Sequence, residues 1–339
     1  MAFNITLQPG GLQFAAAEDR TILDSAENAG IALPYGCRGG SCGACKGRVV
    51  GGSIERGIED RFAMTDEQRA DGFVLLCMAH PHSDAVIEVT DVSRTGDIVI
   101  KTLPTRINAI TRAAPDVLSI TLQLPASEAF DFRAGQYIAL LFKDGERRDF
   151  SLANAPHEQG SLQLHIRLTD GSYTTHMFGE VLKERDILRI EGPLGSFHLN
   201  PDSTKPIIML AGGTGFAPIK SILDDMAHKG IKREAHLYRG ARDRAGLYMA
   251  ELHDQWATTL QNFSEVSVLS DATPACKWNG RTGLVHQAVL DDFDDLSGYE
   301  VYACGAVAMI NAARHDFIAR GLPAEAFFAD AFTPAPARK

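Results

Sequence analysis

The chain has 339 residues, 45% hydrophobic and 22% charged, the composition of a globular protein of two or three domains. No apolar run approaches membrane-spanning length, and the polar opening MAFNITLQPGG lacks the basic and apolar regions of a signal peptide, so a cytoplasmic protein with no membrane partner is expected. A net charge of -10 leaves no electrostatic footprint for nucleic acid, and a chain this long has core enough to do without a disulfide framework for its six cysteines.

The first segment reads as short strands (FNITLQP, LQFAAA, GRVVGGSI, AVIEVTDV) around one helical stretch, TILDSAENAG, which Thr21 can cap and Gly30 can end. Directly after that helix comes GCRGGSCGACKG, which puts half of all the cysteines on one loop. Cys37, Cys42 and Cys45 form C-x4-C-x2-C, and Cys77 follows in FVLLCMAH; this spacing ligates a plant-type 2Fe-2S cluster. Zinc is the rival, since Cys42, Cys45, Cys77 and His80 make C-x2-C followed by C-x2-H, but it leaves Cys37 idle and the gap between the pairs is long. A Rieske centre needs a second histidine ligand that the spacing does not supply. The glycines and Ser41 let backbone N–H groups approach the sulfurs. Residues 1–95 carry 8 Lys+Arg against 13 Asp+Glu, so an acidic face could steer a basic partner, or could simply be a solvated surface.

A connector of mixed signals, SRTGDIVIKTLP, leads into a run of strand patterns with turn punctuation: RINAITRAA, VLSITLQLP, QYIALLFKDGE, SLQLHIRLT and DILRIEGPLG. These predict a small antiparallel barrel. Within it Arg148, Phe150 and Ser151 form an R-x-F-S string, and Gly171 and Thr174 stand in G-x-x-T spacing. The last segment changes to βα alternation, from PIIMLAGG through IKSILDDMAHKG to EAHLYRG, SEVSVLS and EVYACG, which predicts a parallel sheet covered by helices. Its first strand runs into Gly212, Gly213, Thr214 and Gly215, with Pro218 in the first turn of a helix, a turn that can bring backbone N–H groups onto a phosphate. It departs from G-x-G-x-x-G by ending in proline, and Ile219 before Lys220 and Ser221 excludes a Walker loop. The Pro/Ala tail TPAPARK is expected to fray.

Taken in this order, the motifs resemble the ferredoxin-NAD(P) reductase superfamily over essentially the whole chain. The resemblance implies a β-grasp ferredoxin domain (α+β) at 1–95, an antiparallel β-barrel FAD domain at 104–203 and a Rossmann-like α/β NAD(P) domain at 204–335. It assigns Arg148 to flavin phosphate, Phe150 to stacking on the flavin where a tyrosine is commoner, Ser151 to the region of N5, and Gly171 and Thr174 to the pyrophosphate. In the nicotinamide domain it assigns Gly212, Gly213, Thr214, Gly215 and Pro218 to the dinucleotide and Arg242 to its ribose or phosphate. Cys304 and Gly305, with Met309, go beside the nicotinamide ring. Ser151 and Cys304 are thus the residues expected nearest the chemistry, and no general base is nominated. His165, His176, His80 and His82 read as ordinary core or surface histidines. Domain order implies FAD rather than FMN and a reductase component delivering electrons from NADH through FAD and the 2Fe-2S cluster to a partner oxygenase. A dehydratase of CDP-deoxysugar synthesis is the alternative acceptor, and a general diaphorase a third. NADH is expected, although Arg239, Arg242 and Arg244 could read the 2′-phosphate of NADPH.

Overall fold

The computed structural model describes residues 1–58, 63–89, 93–94 and 98–332. Part of the connector, the end of the strand pattern AVIEVTDV and the TPAPARK tail lie outside the described residues. Two compact units emerge, the first built on residues 1–99 with two short later segments, Gly195–Phe197 and one beginning at Ala329, the second on the rest.

In the first unit β1 (Ala2–Gln8) and β2 (Gln13–Ala17) form a hairpin, followed by α1 (Ile22–Asn28) and β3 (Ile31–Ala32). Then come β4 (Lys46–Gly51), β5 (Ile54–Glu55), α2 (Asp66–Ala70), β6 (Phe73–Leu75), β7 (His80–Pro81), β8 (Ala85–Glu88) and β9 (Ser93–Arg94). The main sheet has the order β2-β1-β8-β4-β6, with β1 and β8 parallel; β3 pairs with β9 and β5 with β7. Thr21 caps α1 as expected, its hydroxyl accepting from the Asp24 N–H, and Gly30 takes φ 72° just past the end. Ile5 and Leu7 alternate onto the same face of β1 and are fully buried with Ile22, Leu23 and Ile87. Helix α1, read from its caps, and β6, too short to read from apolar periodicity, are held by tertiary contacts. The Ile22 and Leu23 N–H groups donate to the carbonyls of Ala79 and Leu76, at 2.9 and 3.0 Å.

The second unit opens on β10 (Lys101–Ala114), β11 (Val117–Gln123), β12 (Tyr137–Leu141), β13 (Arg147–Ser151), β14 (Ser161–Arg167), the short α3 (Tyr173–His176) and β15 (Ile187–Leu194). The six strands run antiparallel in the order β13-β12-β15-β10-β11-β14. A bridge between Leu152 and Leu164 joins the two ends, so the sheet closes into the expected barrel. Ile107, Ile120, Leu122, Ile138, Leu140, Leu152, Leu164, Ile166 and Ile190 fill it with no solvent exposure.

The chain continues with β16 (Ile207–Gly212), α4 (Phe216–Lys229), β17 (Ala235–Ala241), α5 (Leu252–Thr259), β18 (Phe263–Leu269), β19 (Arg281–Thr282), α6 (Val285–Asp292), β20 (Glu300–Ala306), α7 (Val307–Ala319) and β21 (Phe327–Phe332), whose residues from Ala329 on are counted with the first unit. The sheet order is β19-β18-β17-β16-β20-β21, and the pairings of β16 with β17 and β20 are parallel. β16 is apolar on both faces, IIMLA being buried throughout, as a strand covered by helices on each side requires. Gly230, at φ 63°, ends α4 in the left-handed conformation. No helix among the described residues is long and apolar enough to cross a membrane.

Candidate functional site

Four cysteines converge in the first unit. Cys42, Cys45 and Cys77 are buried and Cys37 is half-buried. The sulfurs pair two by two, Cys37 with Cys42 and Cys45 with Cys77. Among the described residues no three histidine, cysteine or carboxylate groups close on one metal-ion position. Backbone N–H groups line the pocket: those of Gly39, Ser41 and Cys42 point at Cys37 Sγ at 3.3–3.4 Å, and those of Cys37 and Ala44 at Cys42 Sγ at 3.4 and 3.5 Å. The hydrogen bond from Cys42, backed by these N–H groups, draws the Cys37 thiol down to about 5, and the bond from Cys45 draws Cys77 down as well. Their partners Cys42 and Cys45 are pushed up as donors within each pair and by burial. The N–H groups aimed at Cys37 and Cys42 Sγ are the donor setting that cluster sulfurs need.

The loop reaches that shape through left-handed backbone at Gly40 and Gly43, φ 74° and 70°, and at the non-glycine Arg38, φ 51°. Arg38 is held there by ion pairs to Asp24, at 3.0 Å, and to Glu27, both on α1, with its guanidinium 4.2 Å from the centre of the Tyr35 ring. Cys77 is brought in from the far end of β6, where the Leu76 N–H donates to the Cys45 carbonyl at 2.9 Å. His80 and His82 stand outside this constellation; His82 pairs with Glu55 at 3.0 Å.

On the barrel, Arg148 and Phe150 share one face of β13 by the alternation of a strand. Arg148 pairs with Glu146 at 2.6 Å and lies over the Tyr173 ring, while its buried Nε has no hydrogen-bond partner. A half-buried, incompletely satisfied guanidinium is what a phosphate would complete. Phe150 meets Phe178 edge-on, with ring centroids 6.2 Å apart. Ser151 is buried at the strand's end opposite Tyr137. Gly171, at φ 72°, makes the turn into α3, which carries Thr174.

The glycine turn and the Cys304 motif come together although nearly ninety residues separate them. A side chain on Gly215 would stand 2.2 Å from the Cys304 carbonyl oxygen, and one on Gly212 would stand 2.6 Å from Met309 Sδ. Gly213 and Gly305 both take positive φ, 57° and 147°. The turn is therefore built for close backbone approach, and it is seated against the motif expected beside the nicotinamide. Pro218 lies buried in the first turn of α4, and the Cys304 side chain is fully buried.

Arginines at the end of β17 divide. Arg242 and Arg244 are exposed, but Arg239 is 3% exposed, 3.6 Å from Glu265, with its guanidinium 3.7 Å from the centre of the Phe216 ring. The expectation that Arg239 could read a 2′-phosphate is corrected: it is buried with its charge committed to Glu265 and the Phe216 ring. His176 pairs on the surface with Glu180, as expected of a surface residue. His165 is buried against Tyr248, whose hydroxyl lies 3.0 Å from Nδ1. Sequence reasoning overlooked Tyr248, although it closes the stretch YRGARDRAGLY; a lone tyrosine after a turn carries no signal of what it reaches.

Three domain families match the chain. Residues 5–82 match the 2Fe-2S iron-sulfur cluster binding domain, 104–199 the oxidoreductase FAD-binding domain and 209–315 the oxidoreductase NAD-binding domain. The first match gives a 2Fe-2S cluster, not zinc, to the N-terminal segment. The CDP-6-deoxy-L-threo-D-glycero-4-hexulose-3-dehydrase reductase of Yersinia pseudotuberculosis is 40% identical over 337 residues, 98% of this chain and 99% of that protein. The terephthalate 1,2-dioxygenase reductase component 1 of Comamonas sp. is 37% identical, covering 99% of each. Among solved structures, the cytochrome P450 reductase of Amycolatopsis matches 98% of this chain and 99% of its own at a TM-score of 0.78 and 31% identity.

Proposed function

Since the chain belongs to the ferredoxin-NAD(P) reductase superfamily and carries 2Fe-2S, FAD and NAD-binding domains, we propose that it is the reductase component of a two-protein system, delivering electrons to a partner oxygenase. The observation that carries this reading is the coexistence, on one chain, of a four-thiol nest and a flavin barrel docked to a nucleotide-binding turn. Hydride arrives as a pair of electrons and an iron-sulfur cluster passes one at a time; bound flavin supplies the conversion. The chain's own residues bind, orient and tune.

In this reading Cys37, Cys42, Cys45 and Cys77 are the cluster ligands. Arg148 neutralises flavin phosphate with its free Nε, Phe150 packs on the ring, Ser151 donates near N5, and Gly171 and Thr174 lie against the pyrophosphate. Gly212, Gly213, Thr214, Gly215 and Pro218 receive the dinucleotide, Arg242 meets its ribose or phosphate, and Cys304 with Gly305 backs the nicotinamide. The domains run 1–95, 104–203 and 204–335. NADH is the donor in this reading, as in the family the motifs resemble, and the charge of Arg239 is committed to Glu265 and the Phe216 ring.

A second acceptor has its own support: the 40% identity to the Yersinia dehydrase reductase extends over both proteins almost end to end. Purified protein, reduced by NADH without oxygen, is supplied in turn to ring-hydroxylating oxygenases and to a CDP-hexulose dehydrase, and product is measured. Turnover with an oxygenase alone supports the first reading; turnover with the dehydrase alone replaces it with the second.

A further inference from the structure

Strand β14 has Leu162, Leu164 and Ile166 pointing into the barrel, so alternation turns Gln163, His165 and Arg167 outward. An outward histidine on a barrel strand should be wet. His165 is instead 5% exposed, because Phe216 and Tyr248 of the nucleotide-binding fold cover it. Its Nδ1 lies 3.0 Å from the Tyr248 hydroxyl, and Tyr248 stands edge-on to both the His165 and Phe216 rings. Next along the strand, Arg167 comes close enough that a side chain on Gly213 would stand 3.0 Å from its guanidinium.

Helix α4 continues the same contact along its length. Lys220 Nζ donates to the Ala153 carbonyl at 3.1 Å and Ser221 Oγ to the Asn154 carbonyl at 2.7 Å, both of them buried residues. Farther on, the His228 ring stacks on His157 with centroids 3.8 Å apart. Ala153 is two residues from Ser151 and Lys220 five from Gly215, so the seam ties the end of the R-x-F-S strand to the start of the glycine turn by a few stiff bonds.

We infer that Tyr248 with His165, and Ser221 with the Asn154 carbonyl, are positioning residues that set the distance and angle between the two cofactor-bearing elements for hydride transfer. This inference rests on the reading of the two motifs as flavin- and nicotinamide-binding. The four act through the elements they join. Misplacement of reacting groups by about 1 Å can cost about a hundredfold in rate, whereas binding of the dinucleotide to its own turn is unaffected by the seam.

The test uses the holoprotein and the variants Tyr248→Phe, which keeps the ring and removes one hydroxyl, and Ser221→Ala, which is independent of the His165 pocket. Flavin reduction by NADH is followed by anaerobic stopped-flow across NADH concentration, and amide hydrogen exchange is followed by mass spectrometry. The expected result is a limiting reduction rate at least tenfold slower with the NADH dissociation constant within about twofold of wild type, and a rise in the primary deuterium isotope effect. Faster exchange should be confined to the segments each contact joins, around 163–167 and 246–250 for Tyr248→Phe and 152–157 and 213–221 for Ser221→Ala, where general destabilisation would raise it everywhere. Wild-type rates in both folded variants, or loss of NADH affinity with the rate unchanged, overturn the inference and leave the function standing. A wild-type protein that NADH does not reduce overturns the function, and the inference with it.

Discussion

Cys77 lies 32 positions beyond Cys45, and its place in the thiol nest depends on β6 rather than on the loop that holds the other three. Replacing it separates the two halves of the electron path. In the proposed reading Cys77→Ser removes one cluster ligand and leaves the flavin and nicotinamide domains their own residues. NADH-driven ferricyanide reduction should stay within about twofold of wild type while cytochrome c reduction falls at least tenfold, measured side by side with iron and sulfide content. Arg148→Ala acts earlier: losing a charge-assisted hydrogen bond of about 1.5–3 kcal/mol to phosphate should weaken FAD binding by roughly tenfold to a hundredfold, read by flavin release on dilution. That the four cysteines come together was legible because C-x4-C-x2-C spacing puts three of them on one short loop. The fate of Arg239 was not: motif order put three arginines together near one strand end, and only the fold reveals that one of them faces inward onto Phe216.

The glycine turn shows how an element's sequence records a constraint imposed from elsewhere. Gly215 has an ordinary helical φ of -59°, so conformational freedom does not explain it; the Cys304 carbonyl 2.2 Å from any Cβ does. Gly215→Ala should therefore cost about 1–3 kcal/mol in urea unfolding by forcing β16 and β20 apart, and should weaken NADH binding in equilibrium titration. Unchanged stability would mean that the turn relaxes freely. Strands with strong apolar runs, such as IIMLA, and helices with clear ends, such as α1 and α4, were legible for local reasons. Helices α5, α6 and α7 and the strand β6 were not picked out. Strand β6 is three residues long, and α7 is weakly amphipathic, its buried residues Ile310, Ala313, Arg314 and Phe317 including a cation over the Phe327 ring. Such elements are fixed by packing, which periodicity does not see.

Over the whole molecule, acid should find the seam first. Burial, together with the cations Lys220 and Arg239, lowers His165 to about 3 from an ordinary 6.5. Between those values the unfolded chain takes up a proton that the folded chain refuses, so this stability is fully present above 6.5 and is lost as pH falls toward 3. Urea midpoints measured from pH 7 to pH 4 should fall less steeply in His165→Gln than in wild type. Domain order was legible in the motifs, but the docking of α4 on the barrel was not, because Lys220, Ser221 and Tyr248 match no pattern and act through carbonyls and a histidine far away in sequence.

In the proposed path electrons enter as a pair and leave singly through the four-cysteine nest. Low-temperature electron paramagnetic resonance on the anaerobic holoprotein, after addition of excess NADH, reads the reduced cluster directly. A reduced 2Fe-2S signal should appear in wild type, matching that produced by dithionite, and none should appear in Arg148→Ala stripped of flavin until dithionite is added. A wild-type protein whose flavin bleaches with NADH while the cluster stays oxidised, yet which still reduces its native partner at full rate, would contradict it.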